Sequence, residues 1–189
     1  MNENDRVKLC LFDDFWLKYK SSTMRRWFSP QYFSHFCDPV FGGICACSLI
    51  PDQGSGQYRL YYNGFDPLCE SNCFTALSES NDLKSFEPVK IKQGNSTYPA
   101  HVIDIKDRGV DVCENGMRTF VIYDNFESDP SRRYKLMCHH LRNQQGEKSQ
   151  CLQVAFSADG LHWDLHHDMV ALRHSSDAVN RLYYNPHTK

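Results

Sequence analysis

Tyr58-Arg59-Leu60-Tyr61-Tyr62, leading to Ser80-x-Asp82-x-x-x-Phe86, decides the fold because it comes back. Tyr134-Lys135-Leu136 leads in the same way to Ser157-x-Asp159-x-x-x-Trp163. Tyr134 stands 76 residues after Tyr58 and Ser157 stands 77 after Ser80, so the inner spacing is kept to within one residue. Tyr58 to Tyr62 is rich in aromatics and runs into the turn formers Asn63-Gly64 and Asp66-Pro67, the composition of a strand and its turn. Cys73 to Leu77 is a short apolar run closed by the polar residues Ser80 to Ser85, a second strand and a tight turn. Thr119 to Tyr123 and Tyr134 to Cys138 flank Asp124-Asn125 and Asp129-Pro130-Ser131 and read as a hairpin. Leu152, Val154 and Phe156 alternate with Gln153 and Ala155, then meet Asp159-Gly160, a hairpin turn signal that feeds Leu161 to Asp164. A third start, Arg181-Leu182-Tyr183-Tyr184, echoes Arg59 to Tyr62.

Repeated antiparallel units of this kind suggest blades of a β-propeller, whose four-stranded sheets need neighbours on both faces. The competing arrangement is two similar hairpins in a sandwich. With 189 residues, 41% hydrophobic, 23% charged and 13% aromatic, the chain has the composition of one globular domain, assigned as residues 1–189. Val7 to Phe12 reads as a strand followed by loop, and Gly94 to Thr97 and Arg142 to Gln150 read as polar connections. Twenty-one Lys and Arg against 23 Asp and Glu leave a formal charge of -2, without the basic surplus that a nucleic-acid partner demands. No stretch approaches the roughly 20 apolar residues of a membrane-spanning helix. Acids occupy Met1 to Arg6 where a secretory signal carries bases, so the chain is expected to be cytoplasmic or to start further upstream. Nine cysteines, an odd count, exclude a complete disulfide framework within the chain. Cys45-Ala-Cys47 and Cys69-Glu-Ser-Asn-Cys73 lack the spacing of a structural zinc site, so buried thiols are expected, with no metal and no cofactor.

The sequence resembles five-bladed β-propeller proteins of the glycoside hydrolase family 32 and family 43 kind, especially the family-32-like bacterial branch. The residues that carry the resemblance are Leu11 to Phe15, Tyr58 to Tyr62, Asp129 to Leu136, Ser157 to Trp163 and Asp177 to Pro186. It implies an all-β fold, a partial five-bladed propeller of about two to two and a half blades. The chain is then expected to be a truncated ring, with an open sheet edge available for self-association.

The resemblance also implies a carbohydrate ligand and a funnel lined by three carboxyl groups from successive blades. Glycoside cleavage develops positive charge at the anomeric carbon and negative charge on the leaving oxygen, so it needs one ionised and one protonated carboxyl group. Asp177, before Ala178 to Tyr184, matches the family pattern best as a catalytic carboxylate, with the usual proton donor expected in a later blade. Asp38, ahead of the inner strand Gly43 to Leu49, is similar to the aspartate that opens the first blade; Asp14 and Glu114 stand in reserve. Against each stands the ordinary use of an Asp before a strand as a cap for backbone amides. Arg132, Arg133, Asn180 and Tyr183 are candidate substrate contacts, the two arginines alternatively pairing with Asp129 or Asp124 at a sheet edge. Tyr61, Tyr62, Tyr183 and Tyr184 are aromatic candidates for a non-catalytic carbohydrate-binding or protein-interaction module, with core packing as their other use. Asp82 and Asp159 are read as turn residues, and Phe86 and Trp163 as packing aromatics.

Overall fold

The computed structural model describes residues 35–52, 54–66, 69–91, 100–107, 110–111, 119–144 and 147–172. All belong to one compact unit, Ser34–Lys189. The expected strand at Val7 to Phe12 and the third start at Arg181 to Tyr184 lie outside them.

The described chain is all-β, with helix confined, among the described residues, to a 3-10 turn at Pro130–Arg132. Strands β1 (Gly43–Pro51), β2 (Tyr58–Asp66), β3 (Cys69–Ser80) and β4 (Glu87–Pro88) form one antiparallel sheet in chain order. Strands β7 (Phe120–Tyr123), β8 (Tyr134–Gln144), β9 (Glu147–Ser157) and β10 (His162–Leu172) form a second antiparallel meander. The short hairpin of β5 (Asp104–Asp107) and β6 (Val110–Asp111) is added to it by parallel pairing of β5 with β10. Neither sheet closes on itself among the described residues.

Arg142 to Gln150, expected to be a connection, is instead largely strand. The β8–β9 ladder continues without a register shift from Tyr134↔Ser157 to Gln144↔Glu147. Backbone pairing, once aligned by the apolar half of the hairpin, propagates through residues whose side chains carry no hydrophobic signal.

Period-two alternation sorts the side chains between two cores. Tyr61 and its cross-strand partner Leu77 face the second sheet, where they join Val121, Leu136, Ala155 and Trp163. Leu60, Tyr62 and Ala76 point the other way and join Phe41, Phe74 and Val102. Gly64 lies directly under the Phe41 ring, and a Cβ there would enter that ring.

The repeat shows how the sheets stack. Leu60 and Phe86 belong to the face of the first sheet turned away from the second. Their equivalents Leu136 and Trp163 lie on the face of the second sheet turned toward the first. The sheets therefore stack front to back, in one sense, rather than with equivalent faces together. Their first strands also meet at the junction: the Val121 amide of β7 donates to Ser48 Oγ of β1 at 3.0 Å. Residues 100–107 tie both sheets together. Leu77 N donates to His101 O and Ile103 N to Thr75 O, each at 2.9 Å, before the same stretch enters β5 beside Trp163.

The two Ser-x-Asp turns are built alike. Ser80 Oγ receives the amides of Asp82 and Leu83, and Asp82 Oδ1 receives those of Lys84 and Ser85. Ser157 Oγ receives the amides of Asp159 and Gly160, and Asp159 Oδ1 those of Leu161 and His162. Leu83 (φ 62°) and Gly160 (φ 75°) hold the same left-handed position. Only at Gly160 is the space above the Cα taken: an added Cβ would collide with the Tyr61 hydroxyl and lie 3.1 Å from Arg59 Nη1 and from Tyr134 Cε1. Gly160→Ala is therefore expected to destabilise by about 2 kcal/mol or more, whereas Leu83→Gly changes stability by less than about 1 kcal/mol. Urea unfolding of both variants checks the difference.

Candidate functional site

A cleft of about 330 Å³ opens at one end of the two sheets. The β1–β2 connection supplies Asp52 and Gly54, the β7–β8 connection supplies Pro130 and Arg133, and the β9–β10 turn supplies Ala158 and Asp159. Strand ends contribute Arg59 of β2, Tyr123 of β7 and Tyr134 of β8. Antiparallel order brings these segments together, because in the meanders β1–β4 and β7–β10 the end of each odd-numbered strand and the start of its successor share one rim.

Arg59 fixes the two halves of this rim. It lies in a strand buried on both faces, so its charge has to be matched. Nε donates to Glu79 Oε1 at 2.9 Å, and Nη1 donates to the Tyr134 hydroxyl at 3.1 Å and to the Asp159 carbonyl. Burial pulls the guanidinium pKa down, but the surrounding tyrosines, Asp52 and Glu79 more than restore it, so it stays charged. Beneath it, the Tyr61 hydroxyl donates to Gly160 O at 3.1 Å, with its own pKa pushed up by burial. Trp163 Nε1 donates to the same carbonyl at 3.2 Å.

The acids of the cleft are ionised and occupied. The Ser55 hydroxyl, against a smaller effect of burial, holds Asp52 below its ordinary value, helped by Arg59 and Tyr134. Burial pushes Asp159 upward, but bonds from the His162 amide and ring, the Leu161 amide and the Ser157 hydroxyl outweigh it and bring its pKa to about 2. Every described carboxyl group with a resolved shift is moved in this direction.

Of the residues singled out in the sequence, Arg133 lines this cleft. Among the described residues its Nε is buried without a hydrogen-bond partner. Pairing of the arginines with Asp124 or Asp129 is not what forms. Lys135 Nζ takes Asp124 at 2.6 Å and Glu127 at 2.9 Å, and Asp129 Oδ1 caps the Ser131 amide at 2.9 Å. Arg132 lies over the Phe156 ring, 4.3 Å from its centre.

Asp38 sits against the other face of the first sheet. Its side chain is fully buried, with Oδ1 receiving the amides of Val40 and Phe41 at 2.7 and 2.8 Å and Oδ2 meeting the Tyr62 hydroxyl and, at 2.9 Å, His101 Nε2. Burial raises its pKa, but those bonds more than reverse the shift. This is a cap locked into the core. Tyr61 and Tyr62, at 1% and 0% exposure, are core residues rather than surface contacts. Asp14, Glu114, Asp177, Asn180, Tyr183 and Tyr184 lie outside the described residues. Asp52 and Tyr123 carry no local sequence signal of a site, and the signal for Arg59 is a charged residue inside a strand with two buried faces.

No family model matches the chain, and neither a curated protein nor a solved structure matches it.

Because the folded Asp159 pKa is depressed, its bonds contribute full stability above its unfolded value near 4, and that contribution disappears as pH falls through about 2. Urea unfolding between pH 7 and pH 2 is expected to show stability lost on acidification, with a shallower loss in Asp159→Asn.

Proposed function

We propose that the described sheets are neighbouring blades of a β-propeller of glycoside-hydrolase-like ancestry, and that the chain binds carbohydrate at the cleft between them. The observation that carries this reading is the front-to-back stacking of two equivalent meanders with their first strands side by side. A sandwich would bring equivalent faces together, whereas radial repetition puts the front of each sheet on the back of the next.

The cleft supports a saccharide ligand chemically. The partly exposed Tyr123 ring offers a face for a sugar ring, and the Arg133 guanidinium offers donors for its oxygens. Phe126, 72% exposed, stands on the same β7–β8 connection as Pro130 and Arg133. Binding is preferred to hydrolysis because a glycosidic proton donor needs a raised pKa, and the acids of this cleft are held down. Hydrolysis would rest on Asp177 and its partners.

The test is thermal unfolding of the full chain with a panel of mono- and oligosaccharides. At about ten times the dissociation constant a ligand stabilises by about 1.4 kcal/mol, so even a weak sugar is expected to raise one cooperative transition. Tyr123→Ala is expected to reduce that shift. A folded chain unmoved by every sugar at high concentration contradicts the reading.

A further inference from the structure

We propose that the saccharide taken by this cleft is acidic, its carboxylate received by Arg133; the inference rests on the carbohydrate reading above. Four charged side chains line the cleft, and three are already engaged. Asp52 receives the Ser55 amide and hydroxyl and the Tyr134 hydroxyl. Asp159 receives the Ser157 hydroxyl, two amides of its own turn and His162 Nδ1. Arg59 spends Nε on Glu79 and Nη1 on Tyr134 and the Asp159 carbonyl. Arg133 differs: among the described residues its Nε is buried without a partner, while the carboxylates of its own connection are taken by Lys135 and Ser131.

A guanidinium is always charged and presents planar paired donors that fit a carboxylate with two parallel bonds. A neutral sugar would supply oxygens but leave that charge uncompensated in a half-enclosed site. Of the carboxylates beside it, Asp52 is offset by the neighbouring Arg59 charge, and Asp159 is turned into the donors of its own loop. At about 330 Å³ the cleft is at the small end of ligand pockets, suited to a short uronic-acid oligosaccharide rather than an extended chain.

Calorimetric titration of the full chain with a uronic-acid trisaccharide, with its carboxyl-reduced neutral counterpart and with inorganic sulfate tests this. The uronate is expected to bind about tenfold or more tightly than the reduced sugar at low salt, with the advantage shrinking in about 0.5 M NaCl. Arg133→Gln is expected to abolish the difference and Arg133→Lys to restore part of it. Equal binding of the two sugars overturns the acidic preference and leaves the carbohydrate reading standing. Binding of neither overturns both. Sulfate binding as tightly as the uronate reduces the cleft to a simple oxyanion site and also overturns the proposal. If Arg133→Gln does not fold, the comparison of the two sugars on the unaltered chain decides alone.

Discussion

The carbonyl group of Gly160 joins the two sheets. It receives the Tyr61 hydroxyl from the first sheet and the Trp163 indole from its own, in the interior of the larger core cluster. Both donors are buried, at 1% exposure each, so each depends on this acceptor. The geometry requires the chain to turn through a left-handed residue at 160, with no side chain between Tyr61 and the backbone. Ser157 and Asp159 impose that turn by collecting four amides on two side-chain oxygens. Arg59 then reaches over the top to the Asp159 carbonyl and closes the junction from the solvent side.

The cleft follows from this junction. The strand ends and connections that meet around Arg59 cannot interpenetrate, because their amides and carboxylates are committed to their own turns. The space left between them is lined by what those turns and strand ends leave exposed: the Tyr123 ring, saturated carboxylates and the Arg133 guanidinium. Leu83 occupies the corresponding place in the first sheet, where no neighbour meets a docking carbonyl among the described residues. The same turn chemistry thus serves as a simple reversal in one sheet and as a socket in the other.

The repeat, the hairpin through Asp129-Pro130 and the Asp-Gly turn were legible because each is written within a few residues. Asp82 and Asp159 as turn residues, and Trp163 as packing, follow from the same local chemistry. The length of β8 and β9 was hidden because backbone pairing carries polar side chains as readily as apolar ones. Residues 100–107 were hidden for another reason: they pair with β3 and then, in parallel, with β10, both distant in sequence. The cleft was only partly legible. Arg133 of the arginine pair lines it, but Asp52, Arg59 and Tyr123 converge there through tertiary contacts that no local pattern encodes. Asp38 was visible as an acid before a strand; its burial against His101 and Tyr62 becomes apparent only once the second face of the sheet is covered.

Hydrogen exchange of the full chain tests most directly whether one junction unites the sheets. The account predicts that amides of β2 and β3 and those of β8 and β9 open with one common free energy, and that Tyr61→Phe lowers it equally in both sheets. Two distinct opening energies, with Tyr61→Phe affecting the first sheet alone, would contradict it.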